Sequence, residues 1–297
     1  MSLLSLVLSV RPLEKVSLPS ALGRAAHAAL LKRIAARDAA LADSLHVEGG
    51  TRPFTVSSLR GKRANGFVLP EVNYTLRFTA LSAEVAKVLL DCFAVGDELE
   101  LDAGRFEVAR VMCDANEHPW AARTSYEELA MGWLLARETP APRLVLSFAS
   151  PTAFRSGTRS LTRESNGTMG DRVPQGMVQI FPLPELVFGS LLDKWNAFAP
   201  TALPDETRRF AAECLAVSRI HLSSHAAPFK SEGVVKFGAV GTVTYAALNK
   251  DRYWLSLLNL LADFAQFAGV GASAALGMGQ CKRLKNEVGK GKAGVMG

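Results

Sequence analysis

The chain has few of the residues that build metal sites and disulfide scaffolds. Its 297 residues include four cysteines, with no CxxC spacing, and five histidines, with no HExxH motif. Cysteines this far apart argue against a disulfide framework and a structural zinc site, and free thiols are typical of a reducing cytoplasm. The histidine pattern leaves little basis for a metalloenzyme. The sequence therefore predicts neither a metal nor a cofactor.

Long uninterrupted apolar segments are also scarce. Residues 3–10 (LLSLVLSV) follow no positive charge and precede no small-residue cleavage site, so they predict a strand rather than a signal peptide. Between Arg252 and Lys282 the only charged residue is Asp263, but four glycines crowd into 269–279. This favours a helix followed by a glycine loop in a soluble cytoplasmic protein, and a membrane span there is the distant alternative.

Basic residues, by contrast, occur in clusters. Lys and Arg number 34 against 28 Asp and Glu, for a net charge of +6. The clusters lie in residues 51–70, 155–172 and 281–297. Together they indicate a polyanionic partner, although for any one cluster the alternative is a basic segment that only keeps the protein soluble.

The order of predicted elements repeats along the chain as strand, helix, strand, strand, helix, strand. The first round consists of strand 3–11, helices 22–34 and 38–46, strands 54–59 and 74–80, helix 82–93 and hairpin 98–112. A capping box at Thr124 and Glu127 predicts a linking helix. The second round consists of strand 143–148, loop 150–175, helix 184–198, strands 218–223 and 234–246, helix 251–267 and strand 280–287. The fold class predicted is α+β, with tandem ferredoxin-like (RRM/RAMP-like) domains, antiparallel sheets and domains at 1–138 and 139–297.

The most distinctive local motif is a doubled GxG pattern, Gly269-Val-Gly271 and Gly277-Met-Gly279. Glycine-rich turns let backbone N–H groups approach phosphate oxygens closely. A Rossmann fingerprint would follow a strand, whereas a helix precedes this motif, and no GKS or GKT follows it. The doubled spacing and the neighbouring basic residues favour contact with an RNA backbone. A tight packing turn is the alternative.

This glycine loop, with PFTVSSL at 53–59 and PLPELVFGSLLDKWNAF at 182–198, resembles the RAMP-type CRISPR repeat endoribonucleases (the Cas-six family). The similarity extends over residues 19–59, 146–200 and 230–284. It implies a metal-independent endoribonuclease that cuts precursor CRISPR RNA within repeats by attack of a 2′-hydroxyl. The products would carry 2′,3′-cyclic phosphate and 5′-hydroxyl ends. A non-catalytic RAMP subunit that binds RNA in an effector complex is the alternative.

The resemblance also indicates which residues to weigh as catalytic. It places His46 in the Leu-His position before the PFT strand and Arg52 where relatives carry a basic residue. His27 occupies a position that is histidine in some members, and the tyrosine that some carry four positions later is Leu31 here. Two imidazoles can serve as general acid and base, and a guanidinium can stabilise a phosphorane. Which imidazole is the acid stays open.

Each of these three residues also has a non-catalytic interpretation. His27 shares its stripe with apolar residues, as a half-buried helix histidine would. His46 fits a helix C-terminus, where the dipole favours a cation. Arg52 fits simple phosphate binding.

The predicted RNA-binding residues are basic side chains and glycines of the C-terminal domain. They are Arg155, Arg159, Arg163, Lys230, Lys236, Gly269, Gly271, Gly277, Gly279, Lys282 and Arg283. His118, His221 and His225 are interpreted as structural or peripheral. The predicted partner is CRISPR repeat RNA, with effector-complex subunits and a second copy of the chain as further candidates.

Overall fold

In a computed structural model of the protein, the described residues are 1–46, 50–156, 177–229 and 234–284. The strands within them are β1 Leu3–Pro12, β2 Val16–Ser17, β3 Phe54–Val56, β4 Phe67–Val68, β5 Tyr74–Ala80, β6 Glu98–Leu101, β7 Gly104–Met112, β8 Ala122–Thr124, β9 Arg143–Thr152, β10 Phe154–Ser156, β11 Met177–Gln179, β12 Leu215–Phe229, β13 Val234–Ala247 and β14 Cys281–Leu284. The helices are α1 Gly23–Arg37, α2 Ala39–His46, α3 Ala83–Asp91, α4 Tyr126–Leu134, α5 Pro184–Phe198, α6 Glu206–Cys214 and α7 Arg252–Ala268, with a 3₁₀ turn at Ala274–Leu276.

Two antiparallel sheets share the same order of four strands. In the first sheet this order is β3-β5-β1-β7, with β6 added beyond β7 and β8 also pairing with β1. In the second sheet it is β12-β13-β9-β14. In each sheet the first strand of a βαββαβ unit lies between the fourth and the third, and the second strand is outside the third. This is the ferredoxin-like arrangement, so the predicted tandem ferredoxin-like fold is confirmed.

Strand β1 explains the apolar run at the start of the chain. Every residue from Leu3 to Val10 is buried, because both faces of this central strand are covered. One face packs on the helices of the first core. On the other face, Ser5 donates through Oγ to the Trp120 carbonyl at 2.5 Å, and Val7 packs with Met112 and Ala121. A strand covered on both sides has no need of alternating polar residues.

The two helices after β1 follow from local sequence. α1 is rich in alanine, a strong helix former, and buries Leu30 and Ile34 in the first core. Asp38 ends α1 and starts α2, because its Oδ1 accepts a hydrogen bond from Leu41 N at 2.9 Å. This cap confirms the predicted start of the short second helix, which ends at His46.

The second core forms around α5 and α7. α5 has the predicted bounds and buries Trp195, and Asp251 caps α7 by accepting from Trp254 N at 3.2 Å. α4 packs against α7 through Tyr126, so this helix belongs to the second core although it precedes the predicted boundary. That boundary near residue 138 stays a prediction.

Buried Arg77 joins the two domains. Its Nε donates to Gln280 Oε1 at 2.9 Å, its Nη1 donates to the Gln266 carbonyl at 2.8 Å, and its guanidinium lies 4.6 Å from the centre of the Trp120 ring. Burial lowers the pKa of Arg77 to about 9. Since an amide and a carbonyl satisfy this cation, the domains are held together without an ion pair at this point.

The structure differs from the predicted elements at several points. The predicted loop 150–175 begins with strand residues, since β9 runs to Thr152 and β10 follows at Phe154–Ser156. The capping box uses Ser125 and Glu128, one residue later than predicted. β12 is much longer than the predicted strand 218–223, whereas β13 matches the predicted strand 234–246 to within one residue. The sequence predicts no helix where α6 lies. Among the helices of the described ranges, none combines the length and the hydropathy that crossing a bilayer requires.

Candidate active site

His27 lies on α1 at the junction of the two domains. Its half-buried ring is 5.4 Å from that of Phe54 on β3 and tilted by 38°. Its Nδ1 is 2.9 Å from the carbonyl oxygen of Ala275, in the 3₁₀ turn of the other domain. A carbonyl only accepts hydrogen bonds, so Nδ1 carries the proton, and the neutral ring keeps an unprotonated Nε2.

The surroundings of His27 favour this neutral form. Burial lowers the pKa of His27 below its ordinary value of 6.5, and the hydrogen bond to Ala275 opposes that effect. The positive charges of Arg52 and His46 lower the pKa further. Arg52 and His46 therefore both lie within electrostatic range of His27, and at neutral pH His27 is suited to accept a proton.

The two groups that act electrostatically on His27 lie on either side of the connection between α2 and β3. His46 is exposed at the last residue of α2, and Arg52 is half-buried two residues before Phe54. Arg52 also lines a cleft of about 280 Å³ between the end of α2 and the start of α3, with Ser44 and Glu84. Both side chains reach solvent, as an acid and a phosphate ligand must.

The glycine loop, residues 269–279, connects α7 to β14. Its four motif glycines, Gly269, Gly271, Gly277 and Gly279, all have positive φ. A Cβ on any of them would meet protein atoms, for example the Val270 carbonyl oxygen at 2.1 Å in the case of Gly279. Close internal packing therefore accounts for these glycines by itself. Their contact with an RNA backbone stays a prediction.

Two side chains of α5 hold the start of the glycine loop. Lys194 is only 9% exposed, and its Nζ donates to the carbonyl oxygens of Ala268 at 3.1 Å, Gly269 at 3.0 Å and Gly271 at 3.5 Å. Burial lowers the pKa of Lys194 to about 8. One turn earlier, Ser190 accepts through Oγ a hydrogen bond from Gly271 N at 2.9 Å.

A larger cleft of about 420 Å³ opens beside the first turn of α1. The glycine loop, the end of β9 and the β12–β13 hairpin form its other walls, and its polar lining includes Ser58, Arg60 and His225. His225 is exposed, and its Nε2 is 2.9 Å from Ser223 Oγ. Because residues four apart share a helix face, Gly23 in this cleft lies one turn before His27.

The predicted RNA-binding residues fall in several places. Arg155 is exposed on β10, and Lys236 donates to Ser273 Oγ in the glycine loop at 3.3 Å. Lys282 donates to the Pro119 carbonyl at 3.2 Å, and Arg283 pairs with an Asp263 oxygen at 3.4 Å. Arg159, Arg163 and Lys230 lie outside the described residues. Among the basic side chains that the structure describes, Lys236 is the one with a hydrogen bond to the glycine loop, and the RNA contacts of the whole set stay predictions.

Sequence reasoning missed several residues that the fold brings to this site. Arg60 lies in the predicted basic segment but was not singled out, and Lys194 lies within the quoted α5 motif. His225, interpreted from the sequence as structural or peripheral, lines the cleft. A signal was present, because His221, Ser223 and His225 alternate along β12 and therefore share one face. Within the part of the chain that the structure describes, no three His, Cys, Asp or Glu residues are grouped as metal ligands would be.

Two ferredoxin-like domains that meet where a glycine loop contacts a histidine define the class of tandem ferredoxin-like proteins, which the resemblance also implied. Family models agree with this class. The model of the CRISPR Cas6 N-terminal domain matches residues 3–88, and the model of the CRISPR-associated endoribonuclease Cas6 matches residues 146–281. The chain belongs to the Cas6 family, as the sequence resemblance implied, and this is a family of RNA-cleaving enzymes.

Solved structures support the same assignment. The product complex of Cas6 (TTHB231), a Thermus thermophilus protein, is 26% identical, with a TM-score of 0.74 over 95% of this chain and 100% of that chain. The product complex of the Thermus Cas6 (TTHA0078) is 25% identical, with a TM-score of 0.72 over 96% and 100%. A Cas6-related protein from Pyrococcus furiosus, 14% identical over 96% and 100%, shares the fold, with a TM-score of 0.61. None of the curated proteins compared with the chain matches it.

Proposed function

We propose that this protein is a metal-independent endoribonuclease that cleaves precursor CRISPR RNA within its repeats. The observation that carries the proposal is the hydrogen bond from His27 Nδ1 to Ala275, with Arg52 and His46 in electrostatic range of the ring. Membership of the Cas6 family supports the reaction class. The product complexes of the two Thermus relatives support RNA as the substrate.

In this mechanism His27 is the general base. Its Nε2 takes the proton of the 2′-hydroxyl, whose oxygen attacks the adjacent phosphorus while the bond to the 5′-oxygen breaks. The fixed Nδ1–H leaves Nε2 unprotonated, and burial keeps the ring neutral near pH 7. His46 donates a proton to the departing 5′-oxygen, so the products are a 2′,3′-cyclic phosphate and a 5′-hydroxyl.

Arg52 stabilises the negative charge that builds up on the phosphorane. A guanidinium can hold two phosphate oxygens at once, and it does so best where its donors are already oriented. The cleft beside α1, whose lining includes Arg60 and His225, holds the RNA strand next to the scissile bond. No step requires a metal ion, since the two imidazoles move both protons.

Cleavage of a repeat RNA in EDTA tests this proposal. Single-turnover rates are compared for the wild type, His27→Ala and His46→Ala at saturating protein, and the ends of the products are identified. We expect each substitution to lower the rate by about 10²–10⁴-fold, the usual contribution of a general acid or base. His221→Ala is the matched control, because His221 is exposed on β12 and does not line the cleft.

Two outcomes would contradict the proposal. Wild-type rates in both His27→Ala and His46→Ala would show that the catalytic site lies elsewhere. Tight binding of repeat RNA without cleavage by the wild type would favour the non-catalytic subunit of an effector complex instead.

The remaining expectations concern the setting of the reaction. The described cysteines are all free, which fits a reducing compartment, and we expect the protein in the cytoplasm. Association with effector-complex subunits, formation of a homodimer and a domain boundary near residue 138 remain part of the proposal.

A further inference from the structure

We infer that Lys194 and Ser190 of α5 are positioning residues that fix the tautomer of His27 by holding the glycine loop in place. The inference rests on the proposed role of His27 as the base. Neither residue touches the reacting atoms, so each would act through the Ala275 carbonyl.

The first step is the match between Lys194 and its acceptors. An ammonium group has three N–H donors and no acceptor. Three carbonyl oxygens lie within 3.5 Å of the buried Nζ: Ala268 at the end of α7, and Gly269 and Gly271 in the glycine loop. A helix leaves its last carbonyls without partners inside the helix, and a cation there is favoured by the dipole. Lys194 therefore defines where α7 ends and in which direction the glycine loop leaves it.

Ser190 holds the same loop from the same face of α5. Its Oγ accepts from Gly271 N at 2.9 Å, while Lys194 donates to the Gly271 carbonyl. Residues four apart lie on one side of a helix, so these two side chains hold both polar groups of a single glycine. α5 thus fixes the position and the rotation of the first part of the loop.

The rest of the glycine loop transmits that position to His27. Val270 N donates to the Gly279 carbonyl at 2.8 Å and closes the loop on itself. Inside it, Leu276 N donates to the Ser273 carbonyl at 2.9 Å and forms the 3₁₀ turn that contains Ala275. Because the loop is closed, a shift at Gly271 displaces the Ala275 carbonyl relative to α1.

Losing this carbonyl changes the chemistry of the ring. Without an acceptor at Nδ1, the neutral imidazole is free to carry its proton on Nε2 instead. That tautomer has no lone pair at Nε2 and cannot take the proton of a 2′-hydroxyl from this position. The anchors on α5 would therefore affect the rate of cleavage although they do not contact the RNA.

The test combines a spectroscopic measurement with a rate measurement, both on the full chain. The ¹⁵N resonances of the His27 ring, recorded without RNA above the pKa of the ring, report which nitrogen carries the proton. We expect Nδ1–H in the wild type and an increased share of Nε2–H in Lys194→Met and Ser190→Ala. At saturating protein, the single-turnover rate on repeat RNA should fall by about 10-fold or more in Lys194→Met, and by less in Ser190→Ala.

Arg208→Met is the matched control. It removes another cation that contacts α5, since Arg208 pairs with Asp193 at 2.6 Å, but that pair is exposed and does not touch the glycine loop. We expect this variant to keep the His27 tautomer and the wild-type rate. A thermal unfolding curve establishes that each variant is folded, and if Lys194→Met does not fold, Ser190→Ala decides alone.

The outcomes separate this inference from the proposed function. If folded variants keep the wild-type tautomer and rate, the positioning role is wrong even when His27→Ala abolishes cleavage. If His27→Ala cleaves at the wild-type rate, the proposed function fails, while the ring spectra of the α5 variants still report on the anchor. A lower rate with an unchanged tautomer would also overturn the inference, because it would place the effect outside His27.

Discussion

Replacing Gly23 by alanine should separate α1 from the glycine loop and break the hydrogen bond between His27 and Ala275 without changing His27 itself. A Cβ on Gly23 would lie 2.0 Å from the Leu276 carbonyl oxygen and 2.8 Å from the Cα of Gly277. Real Cβ atoms essentially never approach a neighbour closer than 3.0 Å, so the two backbones must separate by about 1 Å. His27 is one helical turn further along α1, and its 2.9 Å hydrogen bond to Ala275 spans the same contact. A separation of this size stretches the bond beyond ~3.5 Å, where it no longer holds the ring.

The expected consequence is a loss of rate that exceeds the loss of stability. A misplacement of ~1 Å can cost about 10²-fold in rate, and overpacking typically costs 1–3 kcal/mol in the free energy of unfolding. The assay is single-turnover cleavage of repeat RNA at saturating protein, with urea unfolding of the same preparation. Both measurements are made at a temperature where Gly23→Ala is fully folded.

Gly132→Ala provides the control for the chemical change itself. Gly132 lies inside α4, and a Cβ there would meet no atom within 4 Å. We expect this variant to cleave at the wild-type rate and to gain about 0.5–1 kcal/mol in stability, since alanine loses less entropy in a helix. A folded Gly23→Ala protein that cleaves within twofold of the wild type would refute the argument, because the contact between α1 and the loop would then not set the geometry of the base.

Three further predictions concern pH, the domain interface and the cleft. Because burial lowers the pKa of His27, its base form persists below pH 6.5, so the ascending limb of the profile of kcat/KM against pH should have its midpoint below 6.5. A midpoint of that limb above 6.5 would contradict the assignment of His27 as the base. Gln280→Leu removes the amide oxygen that accepts from the Nε of buried Arg77 and should lower the free energy of unfolding by about 1.5–3 kcal/mol in urea titration. An unchanged value would mean that other acceptors suffice for Arg77. His225→Ala should raise the Kd for repeat RNA several-fold, while the rate at saturating protein stays within twofold of the wild type. An unchanged Kd would show that His225 does not contribute to RNA binding.

The repeating order of helices and strands can be predicted from the sequence because it depends on local patterns. α5 shows helical spacing from Pro184 to Phe198, and its bounds were predicted to the residue. The predicted capping box is wrong by one position, for a local reason. Two adjacent pairs satisfy the same motif, Thr124 with Glu127 and Ser125 with Glu128. The fold selects the later one, in which Ser125 accepts from Glu128 N at 3.1 Å.

Only part of the candidate site can be predicted from the sequence, because the rest consists of contacts between segments that are distant along the chain. The resemblance singled out His27, but its acceptor Ala275 is 248 positions away and contributes only a backbone carbonyl. No side-chain type at position 275 could have signalled that role. Likewise, nothing in the sequence of α5 indicates that the Nζ of Lys194 is buried against the end of α7. Burial and partners of this kind are properties of the assembled fold.

The same contacts indicate that the base of the proposed mechanism, His27, would require both domains. The N-terminal half of the chain supplies the imidazoles and Arg52, but the acceptor that fixes the proton on Nδ1 of His27 comes from the glycine loop of the other half. A chain whose domains have not docked would hold a solvated His27 with either nitrogen protonated, a poorer base for a bound ribose. Docking depends on glycine at two facing positions, since Gly277 approaches Gly23 to within the distance that a Cβ on either would forbid. Under the proposed mechanism, cleavage is therefore coupled to correct assembly of the two domains, and we expect a misassembled chain to leave RNA uncut even though it keeps His27, His46 and Arg52.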